Sequence, residues 1–498
     1  MKKFVKVLSL VLALCLLLAS CGTGGEKEGK TTELTMYTLG DKPADYDKVL
    51  VKINELLNEK IGVTLKVHFL GWGEYQKKYP LVLSGGDSAD IIYAANYAGY
   101  KDYAKKGAYL EITELAKKYA PKTMEKLDEN VLDCMRVNGK LYCVPPNIGG
   151  GGNNPHGFVV RGDLMDKYGI KDIKDGDDFI DYLIKVAENE DIMPYNAAAS
   201  DTPVYASKYG DILSNVLVFD MTKDDEFYNK FYTHGDKEYE DYMQHQADRM
   251  REAYLKGCWP KDVLMNQTPA KDAFAVGKSA SAIMNLANFN DLYAKVSAAH
   301  PEWEPRWYYR GVGEEIPIQL GVSSGLAITK KSKHPEKAMQ VIELFNSDKE
   351  INRLTTYGFE GEHYIEKEPG VLSFPKGVDM SNTGFIPDQA GNWAWNNKDY
   401  MMVADTVWPE YTEVKDGLVK YGYWNPYASF SFDDTKVLNE LSAVNSIIKE
   451  NSGMIGWGVV DRTKVRPEEI KRLKDAGIDK VMTELKQQLD TYIKANKK

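Results

Sequence analysis

The stretch Gly71-Trp-Gly-Glu-Tyr-Gln-Lys-Lys-Tyr-Pro-Leu-Val-Leu-Ser-Gly-Gly-Asp-Ser-Ala-Asp-Ile-Ile-Tyr-Ala-Ala-Asn96-Tyr97 decides the fold. Trp72 stands between two glycines, which marks a loop that exposes its indole. Tyr75–Ser84 has amphipathic helical spacing, Gly85-Gly-Asp87 reads as a turn, and Asp90–Tyr93 is a short buried strand. Asn96 and Tyr97 then open a second aromatic loop. Upstream, Glu33–Leu39 alternates as a strand, and Asp45–Lys60 places Val49, Ile53, Leu56 and Leu57 on one helical face. Val63–Phe69 is a further strand. The order β-α-β-α-β predicts an α/β unit with a parallel sheet. Both aromatic loops then lie at the strand ends where open α/β sheets bind ligands.

Further along, a short helix over Tyr97–Lys106 leads to a hairpin spanning 134–145, and Pro145-Pro146 with the run Gly149–Gly152 reads as a crossover. A second α/β block starts with the strand Gly157–Arg161. Helices are expected over 163–168, 177–188, 241–256 and 271–276, and strands over Ser281–Met284 and Leu326–Thr329. Pro335 opens a helix with Ala338, Val341, Ile342 and Phe345 inward. The acidic segment 220–248 reads as a surface excursion. Val437–Lys449 and Pro467–Ala495, the latter broken at Gly477, form a helical tail.

The first residues are a targeting segment. Lys2, Lys3 and Lys6 precede the apolar run Val7–Leu18, too short to span a membrane, and Leu18-Ala-Ser20 leads into Cys21. Cys directly after Leu-Ala-Ser looks like a bacterial lipobox. We therefore expect a lipoprotein signal over 1–20, lipidation of Cys21, and a flexible polar tether over 21–32. A net charge of −10 with both signs interspersed gives no basic footprint for nucleic acid.

The chain holds five cysteines. Asn138-Gly139 is a strong two-residue hairpin signal, and counting outward sets Cys134 opposite Cys143. Such pairs bring Cα atoms to roughly 4.5 Å, within disulfide range. A Cys134–Cys143 bridge is the expectation, with two buried free thiols as the alternative.

For chemistry, the seven histidines are scattered, with no His-Glu-x-x-His and no close His/Cys pair. GxGxxG is missing from the sequence, and no nucleophile elbow is expected. Adjacent acids such as Asp224-Asp225 and Asp433-Asp434 are expected by chance in so acidic a chain. We expect no enzyme, no metal and no cofactor. The aromatic residues tell more, with 32 Tyr and nine Trp. Trp72, Tyr75, Tyr97, Trp393, Trp395 and Trp424 fall in Gly-, Asn- and Pro-rich contexts, with Gly391–Asn397 the densest. Exposed indoles flanked by short polar groups suit pyranose rings, whose apolar faces stack while amides bond their hydroxyls.

Several blocks now resemble a known family: the lipobox, Tyr37-Thr-Leu-Gly-Asp-Lys-Pro43, Gly71-Trp72, Gly86-Asp87-Ser-Ala-Asp90, and Gly139-Lys-Leu-Tyr-Cys-Val-Pro145. Phe158–Leu164, Val276–Met284, Gly321–Ile328 and Tyr357–Tyr364 add to the ordered set, and Gly477–Val481 points to a subgroup with a C-terminal extension. The chain resembles the family 1 extracellular solute-binding proteins of bacterial ABC importers. The resemblance implies an α/β, bilobal, periplasmic-binding-protein-like (Venus flytrap) fold with a multi-strand hinge near 146–154, 322–325 and 360–366. Lobe one would be 33–145 plus 324–362, and lobe two 155–322 plus 366–498 with a C-terminal helical extension. It also implies capture of a carbohydrate, most often an oligosaccharide, and delivery to permease subunits by a monomer held at the membrane by its lipid anchor. A peptide or other polar solute is the alternative ligand, and a surface glycan-active enzyme the alternative class. By resemblance, Trp72, Asn96, Tyr97, Asn288 and the 392–396 segment match cleft positions. The candidate binding set is Trp72, Tyr75, Asn96, Tyr97, Asn288, Trp393, Trp395, Asn396 and Trp424. Leu286-Ala287 departs from the Gly-Pro-Trp that sugar-binding relatives often carry.

Overall fold

A computed structural model describes residues 31–85, 89–148, 155–202, 204–213, 215–222, 231–313, 315–380, 382–387 and 390–496. The signal segment, Cys21, residues 22–30 of the tether, Asp87, the Gly149–Gly152 run and Asp224-Asp225 lie outside the described residues.

Strand β1 (Thr32–Leu39), helix α1 (Tyr46–Ile61), β2 (Val63–Leu70), α2 (Tyr75–Ser84) and β3 (Ile91–Ala95) follow the expected alternation. α1 buries Val49, Ile53, Leu56 and Leu57, the face that periodicity marks, and stops at Gly62, whose positive φ closes the helix. Beyond β3 come α3 (Tyr100–Lys105), α4 (Glu129–Met135), β4 (Arg136–Val137), β5 (Lys140–Leu141) and β6 (Cys143–Val144). The second block holds β7 (His156–Val160), α5 (Gly176–Asn189), β8 (Tyr209–Leu213), β9 (Leu217–Asp220), β10 (Phe231–Thr233), α6 (Lys237–Leu255), β11 (Ser281–Asn285), α7 (Leu286–Ala299), β12 (Arg306–Tyr309) and β13 (Ile318–Leu320). Then follow β14 (Ser324–Ile328), α8 (Pro335–Ser347), α9 (Lys349–Tyr357), a small sheet of β15 (Ile365–Glu368), β16 (Val371–Ser373) and β17 (Val403–Ala404), and β18 (Gly422–Trp424). The tail is α10 (Leu438–Gly456), α11 (Arg462–Asp475) and α12 (Ile478–Asn496). Pro467 sits inside α11 rather than opening it, and Gly477 at φ +90° makes the break to α12.

The chain forms two lobes, each with its own sheet. The first sheet has the order β2-β1-β3-β14-β6. β1 runs parallel to β2 and β3, and β14 is antiparallel to β3, with Ser324 opposite Ala95. The second sheet has the order β11-β7-β12, all antiparallel pairs. β14 therefore enters lobe one at the carboxyl end of β3, which is the end that carries both aromatic loops. In lobe two, His156 at the start of β7 pairs with Asn285 at the end of β11, and Gly157 pairs with Tyr309. The crossings thus join the carboxyl edge of the first sheet to the His156–Asn285 edge of the second.

Most buried side chains fall in three cores, one around the first sheet, one around the second, and a third joining β8–β10 side chains to the tail helices. Each fully buried Leu, Ile or Phe contributes about 1.5–3 kcal/mol. Phe385, Ala390, Ala394 and Trp395 belong to the first core. This corrects the expectation that everything after 366 joins lobe two. The reason is a set of buried asparagine bonds. Asn397 Nδ2 donates to the Asn346 carbonyl on α8 (2.6 Å), and Asn352 Nδ2 on α9 donates to the carbonyls of Phe345 (2.7 Å) and Trp395 (3.0 Å). Asn147 Nδ2 in the crossover donates to Asn397 Oδ1 (3.0 Å). Buried polar groups must find partners, so these amides fix the segment to lobe one.

The hairpin turn forms at Asn138-Gly139, with φ of 51° and 74°, but the disulfide does not. The Asp128 side chain accepts from the Val131 N–H and starts α4, which carries Cys134 in its last turn. The ladder therefore pairs only Arg136 with Leu141 and Val137 with Lys140. Cys134 and Cys143 are buried free thiols. Cys134 turns toward Gly321, where an added Cβ would stand 2.4 Å from its sulfur. Cys143 bonds the Tyr100 hydroxyl, and burial pushes its thiol up to about 12.

Candidate functional site

β2 ends at Leu70, and the backbone turns at once: the N–H groups of Glu74 and Tyr75 donate to the Gly71 carbonyl at 3.0 Å. Gly71 lies over Asp41 Oδ1, 3.2 Å from where a Cβ would stand. The turn leaves Trp72 46% exposed at the sheet edge. β3 ends at Ala95; the Asn96 N–H donates to the Ser323 carbonyl (2.8 Å), and a single turn closed by Gly99 leaves Tyr97 50% exposed. Trp393 reaches the same edge from a tight turn that starts at Gly391, a residue of positive φ packed against Thr38.

These rings form one wall. Trp72 and Trp393 stack with centroids 5.9 Å apart and planes 21° apart. Tyr75 meets Trp72 edge-on at 5.7 Å, and Tyr97 lies 6.4 Å from Trp72. Beneath them is Tyr93, a fully buried residue of β3. The Trp393 indole N–H donates to the Tyr93 hydroxyl, which lies 2.7 Å from the Tyr97 hydroxyl. Ser324 of β14 also bonds Tyr93, and burial pushes the Tyr93 phenol well above its ordinary range. Exposed Tyr97 and half-buried Trp393 are thereby held in fixed orientation by a hydroxyl that sees no solvent. Asn96 is exposed beside them.

Across the crossing strands, Asn285 caps α7 through the Asn288 N–H (2.8 Å), and Asn288 is exposed on the first helical turn. Next to it, His156 and Arg310 occupy the same edge of the second sheet. Burial first, and the Arg310 charge second, push His156 down to about 4, so it is neutral near pH 7. Asn288, His156 and Arg310 are hydrogen-bonding rather than apolar groups.

Trp72, Tyr75, Asn96, Tyr97 and Trp393 come together, while three other expected site residues do not. Trp395 is 2% exposed and packs on Phe345, with its indole N–H bonded to Thr355 Oγ1 at 2.9 Å. The tight turn at 392–394 points it away from Trp393 into the core. Asn396 is buried and accepts from Asn392 Nδ2 at 2.8 Å, so it holds the turn. Trp424 is half-buried on β18, apart from the wall, and lies 3.4 Å from where a Cβ on Gly321 would stand. In the other direction, the sequence reading passed over Tyr93 and Ser324. An all-buried strand gives no sign that one phenol serves two rings of the wall; only the Ala95–Ser324 register reveals it.

Asp45, Glu362 and His363 bring three metal-type ligand atoms within 4.8 Å. The Phe359 N–H donates to His363 Nδ1 (2.9 Å), which leaves the proton on Nε2, facing Asp45 Oδ2 at 3.1 Å. A protonated ring nitrogen is not a ligand, so this group is a hydrogen-bonded anchor.

The family described as bacterial extracellular solute-binding protein matches residues 42–351. This chain belongs to that family. Membership makes it a solute-binding protein of the extracytoplasmic space rather than an enzyme. Residues 426–494 match a second family, a domain of unknown function (DUF3502). The solute-binding protein is 28% identical, over 100% of its length and 99% of the relative, to a carbohydrate ABC transporter substrate-binding protein of Streptococcus pneumoniae serotype 4. Its fold is that of the N-glycan transport solute binding protein (NgtS) from Streptococcus pneumoniae, with TM-score 0.73 and 24% identity over 94% of this chain and 100% of that one. FusA, an S. pneumoniae ABC-transporter substrate binding protein solved with kestose, gives TM-score 0.61 and 17% identity over 94% of this chain and 100% of the other. Among the described residues, no helix is long and apolar enough to cross a membrane.

Proposed function

We propose that this solute-binding protein captures an oligosaccharide between its lobes and presents it to an ABC permease. The observation that carries the reading is the wall of Trp72, Tyr75, Tyr97 and Trp393 at the crossing edge of lobe one, with two of its rings about half exposed. An exposed aromatic cluster held by buried hydrogen bonds is costly unless a ligand covers it. Pyranose rings stack on such plates, and Asn96 with Asn288 would meet their hydroxyls. The wall's own groups carry no formal charge, which suits a neutral glycan better than a peptide terminus. Several adjacent rings suit more than one sugar unit.

The relatives support this reading. The 28% identical relative is described as a carbohydrate transporter component, and NgtS has been solved with Man1GlcNAc and with Man5GlcNAc. In the proposed cycle, ligand binding shifts an equilibrium between open and closed lobes, and the closed monomer docks on the permease. Lipidated Cys21, with the tether up to residue 32, would hold the protein at the outer face of the membrane. A thermal-shift screen tests the ligand class, since binding to the folded state raises the melting midpoint by mass action. Mannose-, N-acetylglucosamine- and fructose-containing oligosaccharides are the probes. A shift with oligosaccharides and none with peptides supports the proposal; the reverse pattern overturns it.

A further inference from the structure

The stretch Tyr421–Ala428, which leads into the C-terminal domain of residues 426–494, touches these three cores within a few residues. Tyr421 packs on the lobe-two core, Tyr423 on the tail core, and Trp424 with Ala428 on the lobe-one core. β18 lies parallel to β13, which leads directly into the 321–323 crossing. After β18, the loop 425–433 is pinned to α12. Tyr492 donates to the Pro426 carbonyl (2.8 Å) and bonds Ser429 Oγ (2.9 Å), and Gln488 Nε2 donates to the Asp433 carbonyl (2.8 Å).

Lobe two holds this domain firmly. Trp259 Nε1 donates to the Trp457 carbonyl (3.0 Å), and Arg251 donates to those of Gly458 and Val459 (2.8 and 2.9 Å). Arg462 and Arg466 of α11 both pair with Glu240 of α6. Side-chain bonds from lobe one come from α3. Lys101 Nζ donates to the Ala428 carbonyl, and Lys105 Nζ to that of Phe432 (3.3 Å). Lys101 is half-buried, and desolvation lowers its ammonium to about 8. A lysine held against a backbone carbonyl away from water needs a reason. Its place supplies one: α3 follows Gly99, so Lys101 stands four residues from Tyr97, while Ser323 fixes the other side of the same loop.

We propose that the C-terminal domain is a clasp across the two lobes, and that Lys101 is the positioning residue through which it fixes the Tyr97 loop. The clasp assigns a role to the region matching the family of unknown function. Its effect on affinity rests on the proposed ligand site, but its effect on the ligand-free protein does not.

The test uses the full mature chain with Lys101→Met, which keeps the stem and removes the donor. The conservative Lys101→Arg restores donors, and Lys105→Met is a milder variant at an exposed residue. Hydrogen exchange of residues 96–106 is followed without ligand, together with the small-angle scattering profile. We expect Lys101→Met to raise exchange selectively over 96–106, leaving β1 and β2 protected, and to broaden the distribution of lobe separations. Lys101→Arg should return both toward wild type. Oligosaccharide affinity should fall about tenfold in Lys101→Met. Unchanged exchange over 96–106, or a uniform rise across both lobes, overturns the clasp. If Lys101→Met does not fold, the same readouts on Lys105→Met decide. Selective exchange with no carbohydrate bound by any variant keeps the clasp and rejects the ligand reading.

Discussion

Tyr93→Phe isolates the hydroxyl beneath the aromatic wall. The ring stays and no cavity forms, so the change removes the acceptor of the Trp393 N–H and the partner of the Tyr97 and Ser324 hydroxyls. A hydrogen bond contributes a net 0.5–1.5 kcal/mol, roughly, and water can partly replace those to the half-exposed partners. Stability should fall by about 1–2 kcal/mol. Binding should suffer separately. Trp393 and Tyr97 would each have to be ordered by the ligand, at roughly 0.5–1 kcal/mol per side chain, which weakens affinity about five- to thirtyfold. Thermal unfolding without ligand measures the first effect, and titration calorimetry with an oligosaccharide measures the second. Lower stability with unchanged affinity would refute the claim that Tyr93 orders the wall.

His156 and His234 are both pushed down to about 4, first by burial and then by nearby arginines. Their unfolded values lie near 6.5, so the unfolded chain binds protons first as pH falls. Stability should hold above about pH 6.5 and decline between about 6.5 and 4, by about 1–3 kcal/mol per histidine; melting midpoints against pH check this, and His234→Phe should flatten the decline. Gly458 has φ +66°, and a Cβ there would stand 2.2 Å from the Met250 carbonyl oxygen. Gly458→Ala should therefore cost at least about 2 kcal/mol in a denaturant titration. Cys134, Cys143 and Cys258 are free. All should react with a thiol reagent in unreduced, urea-unfolded protein, and a reductant should not move the melting midpoint.

The β-α-β-α-β unit was legible because its helices are amphipathic and its strands short and apolar. Val49, Ile53, Leu56 and Leu57 fall where the spacing puts them. Trp72 and Tyr97 were legible for a different reason: each stands next to residues that end strands, so its ring is stranded at an edge. The 391–397 segment was not. Trp393 and Trp395 look alike in sequence, and a turn of three residues sends one to the wall and the other to the core. Its lobe was equally hidden, because asparagine-to-carbonyl bonds over separations such as Asn397 to Asn346 follow no period. At Cys134 a local rule misled. The Asn138-Gly139 turn forms, but the Asp128 cap wins the residues before it for a helix.

The central claim is that the lobe-one aromatic wall binds an oligosaccharide. Titration calorimetry of the ligand-free mature protein with the best oligosaccharide from a screen, repeated on Trp72→Ala, tests it most directly. Trp72 is 46% exposed, so the variant should keep its melting midpoint while affinity drops by about 1–3 kcal/mol, roughly five- to 150-fold. Equal affinity in the two proteins, or heat from peptides and none from any glycan, would contradict the account.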